Sequence, residues 1–335
     1  MKKTYYLFNP GRLSRKDQTL KFMPVDEEGN EQKPRFLPVE GVEDLYIFGS
    51  LDANSALYNF LGKNDIAVHF FDYYENYSGS FMPKDQLLAG KVILAQAEFH
   101  KSQKKRSVIA QQFIDGASYN ILRNLKYYNS RGKELQSYID VIEDFRKHIE
   151  ATTAIDELMG LEGNIRNIYY KAFDQIVAED FRMEGRSKQP PKNELNSLIS
   201  FGNMMCYSQC LRAIHQTQLN PTISYLHTPG ERRYSLALDL AEIFKPLLVD
   251  RVIFKVLNKK EIQVKDFDKK VNRIVLKEAG KKKFIAAFEE RLNETIHHRH
   301  LKRKVSYKHL IRLECYKLVK HMLKMDTYRP FKIWW

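Results

Sequence analysis

Tyr77-Ser78-Gly79-Ser80, followed shortly by Pro83, is the stretch on which the reading of the fold turns. Before it the chain is written in short runs of β-branched and aromatic residues: Thr4-Tyr5-Tyr6-Leu7-Phe8, Leu45-Tyr46-Ile47-Phe48 and Ile66-Ala67-Val68-His69-Phe70. Pro, Gly, Asn and Asp separate those runs, the pattern of strands and turns. After Pro83 the apolar residues recur with the period of a helix, over roughly 88–127, 132–179, 192–218, 233–259 and 281–325. The Gly/Ser stretch therefore reads as the linker, with the boundary near residue 86. The fold class expected is α+β: a small N-terminal β-rich domain (1–86) followed by a larger all-α domain (87–335). No repeat and no low-complexity segment interrupts this plan.

Charge divides at the same place. The 335 residues carry 55 Lys and Arg against 41 Asp and Glu, a formal net charge of +14. Residues 1–86 hold 10 basic and 13 acidic side chains, so −3, which leaves +17 for residues 87–335. With 43% hydrophobic and 12% aromatic residues, the chain is too apolar to be a disordered basic tail. A folded domain this basic implies a polyanionic partner, nucleic acid first. Three cysteines do not make a disulfide framework; Cys206 and Cys210, at i,i+4, read as two buried thiols on one helix. No secretory h-region and no run of about 18 apolar residues is present, so the expectation is a cytoplasmic protein with no membrane partner.

The commonest sequence-visible chemistries are missing. There is no GxxxxGK[ST], no GxGxxG after a strand, no GxSxG, no HExxH and no paired CxxC. Two other regions carry reactive groups. The helical stripe Ile155, Leu158, Glu162, Ile165, Tyr169, Phe173 and Ile176 is apolar or aromatic except at Glu162. A carboxylate on a packed face must be paired, neutralised or metal-bound. Gly160 and Gly163 bracket it, as though something approaches the backbone there. A Glu bonded to a basic neighbour inside the bundle is the plain alternative. The second region runs from Ile223 to Arg233, where His227 ends an apolar run before a Pro-Gly turn. It leads into a helix whose Asp239 and Glu242 lie three apart on one face. A structural His and a solvated acidic patch are the alternatives there. Together these residues form an oxygen-rich set with one imidazole, which suits Mg²⁺ or Mn²⁺ better than structural zinc.

These residues, in this order, resemble the Cas-one family, the integrase/endonuclease of CRISPR adaptation, with the subtype I-B branch the nearest group. The resemblance is carried by Leu161-Glu162-Gly163, by Arg186-Ser187-Lys188-Gln189-Pro190-Pro191-Lys192-Asn193-Glu194-Leu195-Asn196-Ser197-Leu198-Ile199-Ser200-Phe201-Gly202, and by Tyr225-Leu226-His227. Ser235-Leu236-Ala237-Leu238-Asp239-Leu240-Ala241-Glu242, Lys245-Pro246 and Val249-Asp250-Arg251 complete it. It implies a metal site on Glu162, His227 and Glu242, with Asp239 as an auxiliary acidic position. It also implies a β domain that mediates a homodimer, and assembly on a central Cas-two dimer. The activity implied is the joining of 3′-OH ends of short duplexes, new spacers, to the CRISPR repeat by transesterification, with phosphodiester hydrolysis as a related reaction. His227 is either a ligand or a general acid on this reading. The last ligand is Glu where some members have Asp. A non-catalytic DNA-binding scaffold and a metal-dependent repair nuclease are the rival readings.

Contacts to double-stranded DNA are expected from Arg186 and Lys188, from Arg232 and Arg233 just after His227, and from Lys245. The segment Lys281 to Lys304 holds 8 basic and 3 acidic residues, ending in a basic tract with Arg299, Lys302, Arg303 and Lys304 suited to phosphate contact. The final aromatic stretch Tyr328 to Trp335 either docks on a partner or packs on its own chain.

Overall fold

In a computed structural model the chain divides into two compact units, Met1–Gln86 and Leu87–Trp335. The structure describes every residue except 1, 27, 73, 75, 85, 86, 88, 184, 188, 189, 231, 232, 271, 272, 300 and 335, and the side chain at 270.

The first unit has two four-stranded sheets. In one, β1 (Lys3–Leu7), β5 (Val42–Ile47) and β7 (Ala67–Phe71) run parallel, with β8 (Tyr77–Phe81) antiparallel at the edge. In the other the order is β4 (Arg35–Pro38), β3 (Thr19–Pro24), β2 (Gly11–Lys16) and β6 (Leu51–Asp52). A two-residue turn at Asp17-Gln18 joins β2 to β3, with Asp17 at a φ of 54°, a conformation Asp tolerates. Leu20 and Phe22 alternate inward from β3 and pack with Leu13, Leu45, Val68 and the α1 helix (Ser55–Lys63) through Leu57 and Leu61. The stretch expected as a linker is β8 itself. Tyr77 and Phe81 flank its small residues, and Ser80 Oγ bonds both His69 Nδ1 (2.6 Å) and Tyr77 OH (2.7 Å). Glycine and serine there serve an edge strand rather than a flexible joint.

The second unit is helical: α2 (Gly90–Lys101), α3 (Gln103–Asn129), α4 (Gln136–Lys147), α5 (Ile155–Ile176), α6 (Glu194–His215), α7 (Ser235–Lys245), α8 (Arg251–Asn258), α9 (Glu278–Asn293) and α10 (Tyr307–Met322). Ser102 breaks the expected 88–127 helix, its side chain capping α3. The expected division into a strand-rich and a helical unit holds, and the helical unit also carries two short hairpins, β9 (Phe267–Lys270) with β10 (Arg273–Leu276), and β11 (Thr295–His298) with β12 (Arg303–Ser306). The second replaces a helix expected through the basic tract.

Helix α6 is buried on nearly every side and packs against α7. Gly202 lets α6 close on the residues after α7, where an added Cβ would lie 2.4 Å from Val249 Cγ1. Pro246 follows α7 directly and lacks the N–H that would continue the helix ladder; residues Pro246–Asp250 form a π-helical turn before α8. Asn124 of α3 donates from Nδ2 to the Pro246 carbonyl at 2.7 Å and to the Tyr169 hydroxyl at 3.0 Å. The final aromatic stretch packs on its own chain. Asn120 donates to the carbonyls of Ile243 and Phe331, both at 3.1 Å, and accepts from Ile333 N at 3.0 Å, fixing this strap behind α7.

Candidate active site

Three elements converge: α5 with Glu162 and Arg166, the loop 216–234 with His227, and α7 with Asp239, Glu242 and Lys245. The α5 stripe is as expected, with Leu158, Ile165, Tyr169, Phe173 and Ile176 buried. Glu162 stands at the edge of that face, not on an open surface, because Arg166 one turn on donates from Nε to Glu162 Oε1 at 2.8 Å. The same guanidinium reaches across to α7 and donates from Nη2 to Glu242 Oε2. Lys245 Nζ bonds the other Glu242 oxygen at 2.6 Å. Two carboxylates of different helices are thus bridged by one buried guanidinium, with an ammonium completing the cluster. Burial works against ionisation of Glu162, but Arg166, with Lys245 and His227 adding to it, holds the carboxyl below its ordinary pKa. Burial, then the like charge of Arg166, lowers the pKa of Lys245.

The His227 half is built differently. Asp239 has no exposed surface, and its Oδ2 accepts from the backbone N–H groups of Tyr225 (2.6 Å) and Leu226 (3.1 Å). Its Oδ1 accepts from His227 N at 2.9 Å and from the ring Nδ1–H at 2.8 Å. The Nδ1 bond to a carboxylate sets the tautomer, leaving Nε2 as a lone-pair donor. Helices α2 and α3 hold the carbonyls of the same loop. Gln96 donates to Asn220 O and Ile223 O, His100 to Ser224 O, and Arg106 Nε to Tyr225 O at 2.8 Å. Both Asp239 oxygens are engaged by this loop, and through them the carboxylate positions His227.

Among the described residues, no three His, Cys, Asp or Glu side chains stand close enough together to hold an ion as they are. Cations of the chain fill the gap between Glu162 and Glu242 instead, which is the plain alternative of a Glu bonded to a basic neighbour. The donor chemistry still fits a hard divalent ion. Two carboxylates are drawn to one guanidinium, and the imidazole fixed by Asp239 is near enough to act on the charge of Glu162. Asp250 is buried, at 1% exposure, beside the Tyr169 hydroxyl. Burial pushes its pKa up to about 7 against the pull of Arg166, the nearby Tyr169 hydroxyl, Lys245 and Arg186.

The expected DNA contacts fall into three groups. Lys245 is inside the cluster and is corrected from a DNA contact to a partner of Glu242. Arg186 is likewise spent within the chain: it donates to Asn196 Oδ1 (2.7 Å), Ser200 Oγ (3.1 Å) and the Ser187 carbonyl, tying its turn to α6. Arg233 is exposed beside the His227 loop, donating to Thr228 O at 2.6 Å. Arg299, Lys302, Arg303 and Lys304 are exposed on the β11–β12 hairpin, Arg299 lying over the Trp334 ring at 5.4 Å. Lys188 and Arg232 lie outside the described residues. Around Gly160 and Gly163 a Cβ would meet nothing within 4 Å, so this flank of Glu162 is open. Arg166 is not singled out by sequence reasoning, its signal being the i,i+4 spacing from Glu162; Asp250 enters there only within the Val249-Asp250-Arg251 motif, with no role attached.

A helical unit of net charge +17 thus carries its paired carboxylates on two helices and its imidazole on the loop that precedes the second of them. The family model for CRISPR associated protein Cas1 matches residues 5–290. A CRISPR-associated endonuclease Cas1 from Fusobacterium nucleatum is 47% identical over 100% of this chain and 98% of its own length. A Cas1 structure from Thermotoga maritima matches with a TM-score of 0.85 and 38% identity, covering 98% of this chain and 99% of that one. A casposase bound to integration product shares the fold alone, at a TM-score of 0.88 and 20% identity, over 99% of this chain and 93% of that one. The chain belongs to the Cas1 family of CRISPR-associated proteins, whose members include relatives named endonucleases. No helix of the described residues is long and apolar enough to cross a membrane.

Proposed function

We propose that this chain is a metal-dependent DNA integrase/endonuclease of CRISPR adaptation, which joins 3′-OH ends of short duplexes to the CRISPR repeat by transesterification. The observation that carries the reading is the His227–Asp239 pair. A buried carboxylate that fixes one ring nitrogen and frees the other is the support a metal-binding histidine requires. Glu162, Glu242 and His227 Nε2 would hold Mg²⁺ or Mn²⁺. Such an ion, when bound, supplies charge stabilisation at the scissile phosphate.

The chain's own residues do the rest. Asp239 keeps the imidazole aimed and in one tautomer. Arg233, exposed beside His227, grips a phosphate with its guanidinium fork. The open flank at Gly160 and Gly163 lets a DNA backbone approach Glu162 closely. The basic β11–β12 hairpin contacts phosphates without reading sequence. Water in place of the 3′ oxygen gives hydrolysis at the same site. A homodimer formed through the β unit and assembly on a Cas2 dimer complete the reading; a complex titled Cas6-RT-Cas1–Cas2 shares the fold.

The test mixes the chain, a Cas2 partner, labelled duplex with 3′-OH ends and a repeat-bearing plasmid, with and without Mn²⁺ or Mg²⁺. Label joins the plasmid only with the divalent ion and a free 3′-OH. Joining that persists in excess chelator overturns the proposal, as does the absence of both joining and cleavage.

A further inference from the structure

The basic β11–β12 hairpin cannot hold its own position. Among its described residues only Val305 is buried, and a two-stranded hairpin alone is marginal in water. What it leans on leads at both ends to α7. At the base, Arg291 of α9 lies over the Tyr307 ring at 4.3 Å and donates from Nη2 to the Tyr307 hydroxyl at 3.0 Å. The same guanidinium donates from Nε to the carbonyl of Leu247, in the turn that follows α7, at 2.9 Å. At the tip, the Arg299 guanidinium lies over the half-buried Trp334 indole, and His298 meets that ring edge-on at 6.0 Å. Trp334 in turn meets Phe331 at 5.6 Å, and Phe331 stacks on Phe244 at 6.0 Å with 10° between the planes. Phe244 is buried on α7, two residues after Glu242. The strap that carries these rings is itself seated closely. A Cβ added at Gly116 of α3 would fall 2.6 Å from Pro330 Cβ, and Glu314 of α10 accepts from Phe331 N at 3.1 Å and from the Tyr328 hydroxyl at 2.7 Å.

We infer that Trp334 is a positioning residue for the joining reaction: through Phe331 it fixes the tip of the phosphate-gripping hairpin to α7, and so sets where DNA held on the hairpin meets Glu242. Grip and placement are separate demands. Basic side chains attract a phosphate backbone from almost any hairpin position, because that attraction is long-ranged and reads no sequence. Phosphoryl displacement is far stricter, and a misplacement of about 1 Å costs on the order of 100-fold in rate. The hairpin's charges meet the first demand, and the Trp334–Phe331–Phe244 contacts meet the second. Arg299 serves both: stacking on the indole uses the face of its guanidinium and leaves the N–H edge for a phosphate. Trp334 itself touches neither metal nor reacting atoms on this account. The inference rests on the integrase reading above.

The test is Trp334→Ala in the full chain, with every basic residue of the hairpin kept. DNA affinity stays within about twofold of wild type and the salt slope is unchanged, because no charge is lost. Joining of labelled duplex at saturating DNA falls by at least about tenfold, and Trp334→Phe, which keeps a ring between Phe331 and Arg299, recovers most of it. Amide hydrogen exchange speeds up over residues 296–305 and not in α7. A joining rate equal to wild type overturns the inference. So does a loss of affinity, with a shallower salt slope, that accounts for the whole fall in joining. Faster exchange throughout α7 and α10 overturns it as well, since Trp334 would then hold the fold and not the hairpin. His298→Ala removes the hairpin's ring from the same contact and leaves the strap whole, so it serves should Trp334→Ala not fold. A slower joining rate at unchanged affinity in that variant supports the inference, and an unchanged rate overturns it. Wild type that neither joins nor cleaves DNA overturns the integrase reading instead, a result distinct from any difference between wild type and these variants.

Discussion

The two halves of the site are built to opposite standards. In the His227 half three consecutive N–H groups and the ring converge on Asp239, and α2 and α3 side chains take the carbonyls. In the Glu162–Glu242 half, one guanidinium is divided between two carboxylates and Lys245 shares the second, so side-chain cations stand where the other half has backbone donors. Backbone N–H groups fixed by the fold hold a carboxylate in one geometry, whereas cations on long side chains do so less rigidly. The contrast teaches that the imidazole is preorganised, while the carboxylates are held by internal counter-charges.

Four variants break or sharpen that contrast. The largest effect is expected from Glu162→Gln, which keeps size and removes charge from the Glu162–Glu242 half. Joining of labelled DNA should fall by more than about 100-fold with folding intact. Next is Asp239→Asn in the fixed half. Each Asp239 oxygen accepts two N–H groups, so an amide in either orientation turns its NH₂ toward donors. The isosteric change should therefore destabilise by about 2–4 kcal/mol, as an alanine would, lowering Tm by roughly 5–10 °C in thermal melts. A variant that melts like wild type would mean the loop is not hung on this carboxylate. Arg106→Ala removes one carbonyl clamp from the same loop and should cost about 1 kcal/mol, seen as a small shift in denaturant midpoint. Away from both halves, replacing Arg299, Lys302, Arg303 and Lys304 by Ala should leave stability unchanged. DNA affinity should weaken, and the slope of log K against log salt should become shallower by about 0.9 for each phosphate the hairpin no longer neutralises.

Much of this arrangement is legible in residue order. The change of period places the helical domain, and the α5 stripe singles out Glu162 because one carboxylate interrupts an apolar face. His227, Asp239 and Glu242 follow from a turn and a helix face. What is not legible depends on contacts between distant elements. Whether Asp239 serves a metal or a loop is decided by three backbone N–H groups 12 to 14 positions earlier. Lys245 reads as a DNA contact because a lysine in a basic domain usually faces solvent; here α7 packs against α3 and α6, and Lys245 turns to Glu242 one turn earlier on the same helix. The β11–β12 hairpin reads as helix because its charged residues carry no alternating apolar pattern. Tyr77–Phe81 reads as linker because an edge strand tolerates Gly and Ser.

The central claim is that Glu162, Glu242 and His227 hold one divalent ion. Crystals of the wild-type chain soaked in Mn²⁺, with diffraction recorded at the manganese edge, test it most directly. The account predicts a single strong anomalous peak within bonding distance of both carboxylates and of His227 Nε2. A peak elsewhere, or none at saturating Mn²⁺ with the Arg166 bridge intact, would contradict it.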